Sequence, residues 1–156
     1  MKYIPTKIRN RPYTDALRRL KEGKLRPTKQ RLALSKLLFE GEDRHLTAES
    51  LYEEACSFGI KVSLATVYNT LNQFTEAGLL REVVVAPGRS YFDTNTHHHH
   101  HFYCKEDDNL KDISEDQISL TILPDPPADM LIDRVSVVVH LKRNHKSDDD
   151  NKSHSC

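Results

Sequence analysis

Long apolar runs are missing from this sequence. No stretch approaches the roughly 18 residues that a membrane-spanning helix requires, so no such span is expected. The basic, polar start does not read as a secretory signal, and a cytoplasmic location is expected. Cysteine is scarce as well. Cys56, Cys104 and Cys156 are odd in number and far apart, which excludes a disulfide framework and any Cys-x-x-Cys pair. Cys56 falls on the apolar side of a predicted helix and reads as a small core residue, whereas Cys156 ends a polar tail. At 156 residues, 37% of them hydrophobic, the chain suffices for one ordinary domain or two small ones. Two small ones would need a metal or a second subunit to become rigid.

Net charge is also absent, yet the zero conceals a polarity. Residues 1–31 carry eleven Lys or Arg against Asp15 and Glu22, a net +9. Residues 105–116 carry six acids against two lysines, a net −4. A basic end seeks phosphate, and an acidic stretch beside histidines suits a cation.

Residues 1–13, with Pro5 and Pro12, read as a flexible basic arm. A short helix is expected from Thr14 as N-cap to Glu22, ending at Gly23. Pro27 opens a second helix as a first-turn residue, its apolar face marked by Leu34, Leu37 and Leu38, and Gly41 stops it. Thr47 caps a third helix, with Ala48, Leu51, Tyr52 and Ala55 facing inward. Ser63 caps a fourth, running to Ala77 and closed by Gly78. In that fourth helix Leu64, Val67, Leu71 and Phe74 share an arc, while Thr66, Asn69 and Gln73 lie opposite. A polar face with almost no charge suits base edges, where Asn and Gln pair with adenine. Two β-rich runs around Pro87-Gly88 then predict a hairpin. Three helices and a hairpin, in that order, make a winged helix over residues 14–94, a DNA-binding plan.

Residues 95–143 read differently: strands around the histidines, at 110–113 and at 135–141, a helix capped by Ser114, and a Pro-rich loop. This predicts a small α/β sensing and dimerisation domain, its sheet completed across a homodimer, and an α+β chain overall. From residue 144 onward the composition is that of a disordered tail.

Five consecutive histidines, His97 to His101, are the most unusual feature. Engineered tags sit at termini, and this run is internal. A solvated loop with incidental histidines is the competing explanation. Imidazole suits zinc, iron, manganese and heme iron, and neighbouring carboxylates favour harder divalent ions. Alternate residues of a strand share a face, which pairs His99 with His101 and His98 with His100; Asp93, Asp107, Asp108 and Asp112 are near enough in sequence to complete either set. A metallo-enzyme is disfavoured, because neither a Gly-rich loop nor a nucleophile–base pair is evident. A metal or heme carrier without DNA function is disfavoured by the basic arm and the uncharged helix face.

Arg26-Pro27-Thr28-Lys29-Gln30-Arg31, His45-Leu46-Thr47-Ala48-Glu49-Ser50-Leu51-Tyr52 and the run from Ser63 to Phe74, with Ala65-Thr66-Val67-Tyr68 its most specific piece, resemble the ferric uptake regulator family. The resemblance spans roughly residues 14–141. It implies a winged helix, a hinge, and a homodimer bound to inverted-repeat double-stranded operator DNA. By position it makes Arg26 and Arg31 backbone- or minor-groove-contacting residues and Tyr68 a base-touching one, although the helical wheel puts Tyr68 near the core edge. Asn69 stands where several relatives carry Arg, so a different operator is expected. With Thr66 and Gln73 these complete the expected DNA-binding set.

The same resemblance maps an inter-domain site for Fe(II), Mn(II) or Zn(II) onto His45, Asp93, His99, His101 and Asp112, Asp93 replacing the usual Glu. A second site maps only onto His98 and His100. The paired cysteines that would hold a structural zinc through four thiolates are missing. That departure, with His-His-His-Phe-Tyr at 99–103, is similar to the iron response regulator branch, which implies heme at His99, His100 and His101 and release of DNA when heme binds. The alternative is a metal-dependent repressor of the same family. Neither reading is an enzyme.

Overall fold

The computed structural model describes residues 13–144; residues 1–12 of the expected arm and 145–156 of the expected tail lie outside the described residues. The chain divides into two compact units, one running to Thr96 and the other starting at His97.

The first unit contains helices α1 (Thr14–Glu22), α2 (Lys29–Phe39), α3 (Ala48–Ser57) and α4 (Leu64–Glu76), and strands β1 (His45–Leu46), β2 (Arg81–Ala86) and β3 (Arg89–Asp93). Caps set the helix limits. The Thr47 and Ser63 side chains accept from the backbone N–H groups of Ser50 and Thr66, the first as a reciprocal capping box. Helix α4 stops because Gly78, at φ +75, adopts a left-handed conformation that costs glycine little. The Gly78 and Leu79 amides then donate to Thr75 and Phe74, satisfying carbonyls that the helix leaves open.

Two expected starts move. Tyr13, not Thr14, flanks α1, and no side chain caps it. Pro27 precedes the cap of α2, because the Thr28 hydroxyl accepts from Arg31 N–H and the helix begins after it. Helix α1 ends at Glu22 with Gly23 as its C-cap, as expected, but the left-handed position falls one residue later, on Lys24 at φ +54. Gly23 is needed for a different reason, since a Cβ there would meet Leu79 and Ala77 at 3.2 and 3.3 Å.

Leu20, Leu34, Leu38, Leu51, Val67, Leu71 and Phe74 form a hydrocarbon core, to which Leu46, Leu80 and Phe92 are added from the strands and the turn before β2. Leu64 is exposed rather than in it, and Thr70 takes a buried place on α4, its hydroxyl donating to the Thr66 carbonyl. Cys56 is also exposed, on the solvent side of α3, and not a core residue. The wing sheet has the order β1-β3-β2, all antiparallel. Two-residue β1 was not foreseen; it is too short to show an alternating pattern.

In the second unit β4 (His100–Cys104) lies between β5 (Asn109–Ile113), antiparallel, and β6 (Val138–Leu141), parallel. The helix expected from Ser114 is a single 3-10 turn, Glu115–Gln117, and Ser114 makes no side-chain cap. Without a cap or a periodic apolar face, nothing propagates it. The α+β class stands, with the α-helices of the described residues all in the first unit. Among the described residues no helix is long and apolar enough to cross a membrane.

Candidate functional site

Helix α4 carries the first group of candidates. Tyr68 and Asn69 are exposed and Thr66 half-buried on its N-terminal half, which Ser63 caps. Tyr68 is not loose at the core edge. Its hydroxyl donates to Glu49 Oε1 of α3 at 2.5 Å, and that hydrogen bond, followed by partial burial and the carboxylate charge, raises the phenol above its usual pKa. Gln73 does not share the outward face. It is half-buried, and its Oε1 accepts from Arg31 Nε at 3.2 Å and Nη2 at 2.6 Å. Arg31 Nη1 donates in turn to the Arg26 carbonyl at 2.8 Å, while the Arg26 side chain is exposed.

The second group of candidates is in the wing sheet. Strand register sets His45 of β1 directly opposite Asp93 of β3, and His45 Nε2 stands 3.3 Å from Asp93 Oδ2. The other oxygen, Oδ1, accepts from the Asn95 N–H at 2.8 Å. Asp93 is only 1% exposed. A carboxylate removed from water to that degree needs compensating charge. Arg81, itself buried, lies across from Asp93 on β2. The neighbours Leu46 and Phe92 point the other way, into the core, so the same two strands carry both the pair and the packing that fixes it.

The third group belongs to the second unit. His101 and Asp112 are opposed across β4 and β5, and Asp112 Oδ1 lies 3.6 Å from His101 Nε2 and 3.2 Å from His99 Nε2. His99 Nδ1 is 2.7 Å from the His97 carbonyl. A carbonyl only accepts, so Nδ1 carries a proton and Nε2 is the ring nitrogen turned toward Asp112, the one available to a metal. His98 and His100 lie on the opposite face. His98 Nε2 donates to the Val135 carbonyl and His100 Nδ1 accepts from the Val137 N–H, both at 3.1 Å, fastening the chain that leads into β6.

Ligand atoms each about 2.1 Å from a tetrahedral ion lie about 3.4 Å from one another. The separations of 3.2, 3.3 and 3.6 Å within these two groups fit that spacing, and mixed imidazole and carboxylate donors suit Mn(II), Fe(II) or Zn(II). The residues therefore fit a divalent metal. They do not fit heme as expected at His99, His100 and His101. Strand alternation turns His100 away from the other two and commits its Nδ1 to Val137, and all three imidazoles are at most 5% exposed, leaving no open face for a macrocycle.

The sequence model of the ferric uptake regulator family matches residues 22–122. The chain belongs to the ferric uptake regulator family. It is 37% identical over 108 residues to the ferric uptake regulation protein of Klebsiella pneumoniae, covering 69% of this chain and 70% of that protein. The solved ferric uptake regulator of Vibrio cholerae superposes with a TM-score of 0.64 at 28% identity, over 81% of this chain and 98% of that one. The Pseudomonas aeruginosa regulator, solved with manganese, gives 0.63 at 22% identity, over 82% and 97%. The chain is thus a metal-responsive transcription regulator and not an enzyme. Like other ferric uptake regulators it has the winged-helix and second-domain architecture.

Sequence reasoning missed Glu49 and Arg81. Glu49 was given no role of its own, and only the three-dimensional packing puts it against Tyr68. Arg81 lay within a β-rich run, and its place opposite Asp93 depends on a strand register that the sequence does not encode locally.

Proposed function

We propose that this chain is a repressor dependent on Mn(II), Fe(II) or Zn(II), binding an inverted-repeat operator as a homodimer. The observation that carries the reading is the pair of acid–imidazole groups, each spaced for a divalent ion and each built on cross-strand register. One ion held jointly by His45, Asp93, His99, His101 and Asp112 would supply a fixed positive centre for two carboxylates. His45 and Asp93 restrain the strands whose other face is packed in the helical core, so holding them stiffens the unit that carries α4. Thr66, Tyr68 and Asn69 then meet base edges and Arg26 a phosphate. A dimer sets the spacing of two such helices, which is why a change in unit orientation would alter operator affinity.

Capture from a random duplex library in Mn(II) tests this, followed by affinity measurements with the metal chelated. Operator affinity should fall at least tenfold on chelation, and His101→Ala should bind as weakly in Mn(II) as the wild type does in chelator. Metal-independent capture would overturn the reading. A saturable Soret band with operator release on heme addition would restore heme as the signal and place the chain in the iron response regulator branch.

A further inference from the structure

Arg31 has a fork of N–H donors, and the structure has already used its recognition edge. Nε and Nη2 both reach Gln73 Oε1, at 3.2 and 2.6 Å, and Nη1 reaches the Arg26 carbonyl at 2.8 Å. One guanidinium thus joins three pieces of backbone: the segment entering α2, the first turn of α2, and the C-terminal half of α4. To grip a phosphate through its Nε–Nη2 edge, Arg31 would have to release Gln73. Gln73 would then leave a half-buried amide oxygen without its donor, a cost that binding would have to overcome. At the other end of α4 the Tyr68 hydroxyl is tied to Glu49 of α3. The helix is therefore held at both ends by polar ties to its two neighbours, on top of the apolar seam of Val67, Leu71 and Phe74. Hydrocarbon packing resists separation but tolerates small sliding, whereas two N–H donors converging on one oxygen also fix direction.

We propose that Arg31 and Gln73 act as a positioning pair that sets the pose of α4 for operator recognition, with Arg31 not a phosphate anchor and Gln73 not a base reader. The proposal rests on the DNA-binding reading above. It turns on fork geometry rather than charge, and lysine keeps the charge while losing the fork.

The test compares full-length, Mn(II)-loaded wild type with Arg31→Lys, Gln73→Ala and the double variant. Each is titrated by fluorescence anisotropy against the duplex enriched by the wild type and against a scrambled duplex of the same composition. Both single variants should lose on the order of tenfold on the enriched duplex and little on the scrambled one. The double variant should be no worse than either single one, because each removes the same tie. Wild-type affinity in Arg31→Lys would make Arg31 a charge contact and overturn the proposal. Additive losses would make Gln73 an independent reader and overturn it as well. Equal losses on both duplexes, with a lowered unfolding midpoint, would reduce the pair to fold stability and overturn it too. A wild type that enriches no duplex fails at the DNA-binding reading itself, before any substitution is made.

Discussion

In the first unit Leu20, Leu34, Leu38, Leu51, Leu71 and Phe74 are buried to within 1% of complete, and hydrocarbon fills the interior. In the second, the buried side chains among the described residues are Tyr103, Leu110 and Ile113, joined by His99, His100 and His101. The second unit also leaves Ile122 and Leu131 about nine-tenths exposed, on a stretch between Gln117 and Val138 without helix or strand. The unit that bears α4 supplies its own apolar core. The histidine unit buries imidazoles where the first unit buries hydrocarbon and leaves apolar side chains exposed, so the proposed ion and the proposed partner subunit would each supply burial that it lacks alone.

Breaking the hydrocarbon side of that contrast should have the largest effect. Phe74→Ala removes a fully buried ring from α4, stacked on Phe39 with centroids 6.2 Å apart, and should cost about 3–5 kcal/mol in urea unfolding of the full chain, with operator binding lost alongside. The exposed side should respond differently. Leu131→Asp, at a residue 93% exposed in the single chain, should change the unfolding of a monomer by less than about 0.5 kcal/mol. It should nevertheless weaken self-association by more than about 1 kcal/mol, read by sedimentation across a concentration series. An unchanged dimer would mean that this apolar segment is not its interface.

The same contrast explains what was legible in the sequence. The helices of the first unit could be read because caps such as Thr47 and Ser63, stops such as Gly78, and 3.6-residue apolar spacing all act locally. Errors there concerned side chains whose direction neighbours decide: Leu64 and Cys56 face outward, and Gln73 turns toward Arg31. The second unit gave weaker signals, since residues 114–137 have no apolar period and the cap expected at Ser114 does not form, and the expected helix shrank to Glu115–Gln117. Strand alternation did separate His99 and His101 from His98 and His100. The engagement of His98 and His100 by the chain around Val135 and Val137 was beyond local reading, because it joins positions 37 residues apart.

Calorimetric unfolding of the full chain with and without Mn(II) tests most directly the proposal that His45, Asp93, His99, His101 and Asp112 hold a divalent ion. Metal at a hundredfold excess over its dissociation constant should stabilise the wild type by about 2.7 kcal/mol. Asp93→Asn, which leaves His99, His101 and Asp112 intact, should remove most of that gain, as should Asp112→Asn. Full metal stabilisation surviving in Asp93→Asn would contradict the account and confine the metal to the histidine unit.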